Sequence, residues 1–101
     1  MAEPSKYIDE AFTATGAGTS TLKLRSVQRG KPAFIDLLVS GTFVGTVTLQ
    51  QARPDSTDFV DVPNTTFTAP KSGLVEVGSD GDFRWNCTWT SGTVLASAVA
   101  P

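Results

Sequence analysis

Residues 83–90 read Phe83-Arg84-Trp85-Asn86-Cys87-Thr88-Trp89-Thr90. Large apolar side chains take the odd positions and polar ones the even positions. A side-chain period of two is that of an extended strand. One face of the strand is apolar and the other polar, so it belongs to a sheet that covers a core on one side. The stripe Phe83, Trp85, Cys87, Trp89 therefore reads as core rather than as an aromatic binding face. Trp89, nearest the strand end, is the member expected closest to solvent. Cys87 lies inside the stripe with no histidine to activate it, which makes it a structural cysteine.

The same period extends outward from this strand. Gly78-Ser79-Asp80-Gly81 before it reads as a hairpin turn. Ser91-Gly92 after it turns into a last strand from Thr93 to about Val99. Upstream, Phe43 to Gln50 alternates, with Phe43, Val47 and Leu49 on one side and Val44, Thr46, Thr48 and Gln50 on the other. Gly45 falls on the apolar parity and predicts a bulge or a close neighbour. Ala33 to Val39 is apolar on both parities, which predicts a central strand. Ser20 to Ser26 sets Leu22 and Leu24 against Lys23 and Arg25. Asp58 to Val62 is expected as a strand with Val60 and Val62 inward. A Pro63-Asn64 turn separates it from a strand over Thr65 to Ala69, and Ser72 to Val77 forms another.

No segment has the 3.6-residue apolar period of an amphipathic helix. Fourteen threonines and ten valines agree with this, since β-branched residues favour pleated backbone. The expected fold is all-β: a single antiparallel β-sandwich, Ig-like or jelly-roll-like, of about eight strands. It spans 11–101, behind a short flexible N-terminal arm over 1–10. The expected core includes Phe43, Val47, Leu49, Phe83, Trp85 and Cys87.

A chain of 101 residues is one domain of common size. With no histidine, Ser-His-Asp and Cys-His catalysis and histidine-ligated metals are excluded within it. One cysteine makes no internal disulfide. A net charge of -2 lacks the basic excess of a general nucleic-acid binder. No signal peptide or spanning segment is visible, and no phosphate-binding or CxxC motif. No cofactor, metal or catalytic residue is expected, and no nucleic-acid or membrane partner.

The acids at Asp55, Asp58 and Asp61, and at Asp80 and Asp82, read as solvated loop acids. The one basic cluster is Lys23, Arg25, Arg29 and Lys31. It reads as a charged face that protects a sheet edge, or as a surface for an acidic partner. With Lys6 and Tyr7 from the arm, these four are the candidate partner-binding residues.

Two stretches carry a resemblance. One is Ser40-Gly41-Thr42-Phe43-Val44-Gly45-Thr46-Val47-Thr48-Leu49-Gln50. The other is Phe83 to Thr93, with Phe59-Val60-Asp61-Val62 and Phe67-Thr68-Ala69-Pro70 between them. Over about Val39 to Leu95 this order resembles small structural proteins of tailed bacteriophage and prophage particles. The loop over Gln51 to Asp58 departs from their pattern. The resemblance implies a non-enzymatic head-decoration or cement protein, made in the bacterial host cytoplasm and carried on the capsid surface. Its partner would be the major capsid protein, with copies assembling as a dimer or trimer. The alternatives are a glycan-binding host-surface module, for which Trp89, Asn64 and the loop over Asp55 to Asp58 are the candidates, and a head–tail or tail component.

Overall fold

The computed structural model describes residues 7–25, 27–28 and 30–100. Its strands are β1 (Tyr7–Phe12), β2 (Gly16–Ala17), β3 (Leu22–Leu24), β4 (Ala33–Ser40), β5 (Phe43–Ala52), β6 (Val60–Phe67), β7 (Lys71–Val77), β8 (Gly81–Gly92) and β9 (Val94–Val99). One sheet has the order β1-β9-β4-β7. The other runs β2-β8-β5-β6, with β3 also paired to β8. All pairings are antiparallel. Among the described residues no helix is long and apolar enough to cross a membrane.

The pairing is nested about one hairpin. β5 pairs β6, then β4 pairs β7, then β2 and β3 pair β8, and β1 pairs β9. Wrapping this long ribbon adds the β4–β9 and β5–β8 ladders. With β2 and β3 taken as two pieces of one strand along β8, this is the eight-stranded connectivity of a jelly roll. The inward faces of the two sheets meet in a core that contains Ile35, Val39, Val47, Leu49, Phe83, Trp85, Cys87 and Val94. The Phe67 and Trp85 rings pack edge to face at 6.1 Å. Truncating one such aromatic to alanine costs about 3–5 kcal/mol.

Several expectations change. Of the segment read as an arm, Tyr7 to Glu10 lie in β1, paired to Ser97, Ala98 and Val99 and to Ala96. Residues 1–6 lie outside the described residues. The turn over 78–81 does not close a hairpin, because β7 and β8 belong to different sheets. Ser91-Gly92 does lead into the last strand, which lies in the other sheet from β8. The Pro63-Asn64 turn is absorbed within β6. There Asn64 is left-handed with φ 63°, and the pairing slips between Thr48 and Gln50. The buried Thr65 hydroxyl holds this irregularity, donating to Val62 O at 2.7 Å. Val62 is inward as expected, but Val60, beyond the slip, is 66% exposed. Phe43 only packs against the core from its margin. The β5–β8 register shifts between Val44 and Gly45, at the glycine that predicted a bulge.

Two crossings between the sheets lock together at one end. The β4–β5 corner contains Gly41 with φ 100°, and the β8–β9 corner starts at Gly92 with φ 86°. Thr93 N donates to Thr42 O at 2.9 Å. A side chain on Gly41 would collide with Thr93 O, and one on Gly92 with Thr42 O. Only glycine supplies both the left-handed backbone and the close approach here.

Candidate interaction surface

The outward faces of the two sheets differ in chemistry. On the five-stranded sheet, β5 turns Thr46, Thr48 and Gln50 outward and β8 turns Arg84, Asn86 and Thr88 outward. Three of these groups, Thr48, Gln50 and Arg84, bond to their neighbours. Thr48 and Thr66 hydroxyls lie 2.9 Å apart, Gln50 Nε2 donates to Asp61 at 3.0 Å, and Arg84 Nε donates to Gln50 Oε1 at 2.9 Å. The Arg84 guanidinium also lies 4.0 Å over the Phe59 ring.

The four-stranded sheet turns a different set outward. Cross-strand partners point to the same side, so the ladder aligns its outer residues in rows. One row is Tyr7, Val99, Asp36 and Leu74. The next is Asp9, Ser97, Leu38 and Ser72. A third is Ala11, Leu95 and Ser40, and Phe34 stands beside Glu76 at the other end. Among the described residues eight large hydrophobics are exposed, and six of them lie on this face: Tyr7, Phe34, Leu38, Leu74, Leu95 and Val99. Scattered exposed apolar residues are ordinary, but six gathered on one sheet face make it the candidate contact surface.

Two depressions shape the face. One, of about 400 Å³, is bordered by Asp9, Ala11, Leu38, Leu95 and Ser97. The other, of about 420 Å³, is bordered by Pro32, Phe34, Asp36 and Val99. Each is mainly apolar with an aspartate on its border. The outward charges of the face among the described residues are Asp9, Asp36 and Glu76, all acidic, while Lys71, exposed at the start of β7, pairs with inward-facing Val39. No hydrogen bond or ion pair joins these three to another described residue.

The candidates named from sequence are divided between the two sheets. Tyr7 belongs to the apolar face. Lys23 and Arg25 lie at β3, an edge of the other sheet, where they are engaged with acids of the same chain. Lys23 Nζ is 3.4 Å from Asp55, and Arg25 Nη2 is 3.4 Å from Asp55 and 2.7 Å from Asp82. The contact with Asp82 is the main cause that raises the Arg25 pKa above its ordinary value. Lys31 is exposed beside a bridge to Gln28. Lys6 and Arg29 lie outside the described residues.

Asp55, Asp58 and Asp61 are exposed, as the reading of solvated acids expects, but Asp82 departs from it, being only 4% exposed. Its Oδ2 accepts the Asp55 amide at 2.9 Å, and Asp80 accepts the Val27 amide at 2.9 Å. Asp82 thus pins the loop after β5, and Asp80 ties the loop before β8 to the segment after β3. Asp80 and Asp82 are structural clasps on neighbouring loops, and among the described residues no cluster has the makings of a metal site. Of the two tryptophans, burial removes Trp85 as a platform for a sugar and leaves Trp89 partly accessible. Trp85 is fully buried, and Trp89, half-buried, donates its indole N–H to Gly92 O at 2.9 Å. Burial pushes the Cys87 thiol above its ordinary pKa, which disfavours the thiolate.

Phe34, Leu38, Leu74, Leu95 and Val99 were not singled out from sequence. The available signal was β4 itself, apolar on both parities. Comparison with known protein families, curated proteins and solved structures gives no match.

Proposed function

We propose that the chain is a non-enzymatic structural protein of a bacteriophage particle. It is a cement or decoration protein, made in the host cytoplasm, that binds the shell of major capsid protein and stabilises it. The observation that carries this reading is the apolar outward face of the four-stranded sheet. A domain whose second sheet turns mainly polar side chains outward, with Val44 and Val60 at its margins, keeps this face for a partner. The resemblance of the β5 and β8 segments to phage structural proteins supplies the kind of partner.

The physics of cementing needs no active site. A protein that binds the assembled shell and not its dissociated subunits shifts the equilibrium toward the shell. Symmetry repeats the contact many times, so modest affinity per copy suffices. A rigid sandwich loses little entropy on docking. Contacts between copies, as a dimer or trimer on the shell, fall to other surfaces such as the β6 edge.

The test is calorimetry of expanded shells with and without the purified protein. The expected result is stoichiometric binding and a raised shell melting temperature. Shells that melt identically in saturating protein refute the reading.

A further inference from the structure

We infer that the outward face of the four-stranded sheet takes a protein segment with two apolar anchors flanked by lysine or arginine. The inference rests on the reading that this face docks on a protein, and it names the chemistry of the occupant. Phe34 and Leu38 are four residues apart on β4, as are Leu95 and Val99 on β9. At about 3.3 Å per residue the two apolar depressions are centred about 13 Å apart. That spacing sets the distance between anchors. Asp9 borders one depression and Asp36 the other. With Glu76 they leave the face with acidic charges only, among the described residues. A basic group beside each anchor completes the match.

A second copy of this chain fits the face poorly. Docked face to face, two copies bring six carboxylates together with no described base between them. The area is also small. Four strands at about 4.8 Å spacing and six to eight residues of about 3.3 Å give a flat footprint of about 400–500 Å². A stable pair buries about 800 Å² on each side. Such a face suits one contact among several on a repeating lattice.

The experiment is an NMR titration of the labelled, full-length protein with two synthetic peptides. Both carry leucine anchors at the same spacing. One has lysines between them and the other glutamates. The lysine peptide is expected to shift the amides of β4 and β9, and its binding is expected to weaken with salt. Asp9→Asn with Asp36→Asn, both exposed and outside the core, is expected to weaken it about three- to tenfold. Equal binding of the glutamate peptide, shifts confined to the five-stranded sheet, or no binding of either peptide overturns the inference. So does sedimentation that shows a dimer abolished by Leu38→Asp. Peptide binding without shell binding would sink the cement reading and leave this one standing. Shell binding that is unaffected by the two asparagine substitutions would do the reverse.

Discussion

Replacing Gly92 by alanine tests whether the two sheet crossings are locked together. The residue sits at φ 86°, a left-handed conformation. An L side chain there costs about 1–2 kcal/mol. The added Cβ would also collide with Thr42 O and lie 2.7 Å from Phe43 Cα. Both neighbours are backbone, held by the Thr93 to Thr42 hydrogen bond, so the corner itself must move. Overpacking of this kind adds about 1–3 kcal/mol. The total is about 2–5 kcal/mol, from a domain whose whole stability is about 5–15 kcal/mol. Two controls separate the causes. Gly30 has φ 77° and open space around it, so alanine there meets the backbone cost alone. Gly78 has open space and no left-handed backbone, so alanine there is neutral or stabilises by about 0.4–1 kcal/mol. Urea unfolding of the three variants, with midpoints and slopes, gives the order Gly78, Gly30, Gly92 from mildest to most severe. A Gly92→Ala loss no larger than that of Gly30→Ala refutes the interlocked corner. Gly41 meets the other half of the same contact, so Gly41→Ala with Gly92→Ala is expected to cost less than the sum of the two.

Two further outcomes follow from the ionisable groups. Burial raises the Cys87 thiol pKa in the folded state, so the unfolded chain loses this proton first as pH rises. The associated stability is full below the unfolded thiol value of about 8.5 and falls as pH climbs through the folded one, by at most about 1.4 kcal/mol per pH unit. Urea unfolding between neutral pH and pH of about 10 should show a steeper decline for the native chain than for Cys87→Ala, and parallel declines would refute it. Asp82→Ala removes the acceptor of the Asp55 amide and the closest partner of Arg25, so hydrogen exchange at Asp55 should quicken by roughly tenfold or more. Lys23→Ala, which removes only an exposed ion pair, should leave that exchange unchanged.

The strands were legible because burial imposes their period directly. A core on one side of Phe83, Trp85 and Cys87 and solvent on the other favour polar residues at the intervening positions. The division of strands between sheets was less legible. Turn residues such as those at 78–81 specify a local reversal of the chain. Whether the reversal stays within one sheet or crosses to the other depends on where each strand finds a partner, and that is a long-range matter. The nested pairing, from β5–β6 out to β1–β9, spans almost the entire chain and leaves no local trace. The same limit applies to Lys23 and Arg25. Their acids, Asp55 and Asp82, are far away in sequence, so a neutralised clasp looked like a free basic patch.

β4 and β5 put the functional question most sharply. Both are central strands with one side in the core: Ile35, Leu37 and Val39 in β4, Val47 and Leu49 in β5. Their outer sides meet the same solvent in the isolated domain. β5 answers with Thr46, Thr48 and Gln50, of which Thr48 and Gln50 bond to their neighbours, and is apolar only at Val44 near its start. β4 answers with Phe34 and Leu38, about half exposed. Strand propensity does not explain the difference, since threonine serves a strand as well as these residues do. Core packing does not explain it either, because these side chains point away from the core. Exposing them carries a cost in solubility that threonine avoids. Covering them is the condition under which leucine and phenylalanine become favourable, at about 25 cal/mol for each Å² removed from water. On the proposed function, the apolar parity of β4 is a feature of the docked protein, and it separates the face that would meet a partner from the face that meets water.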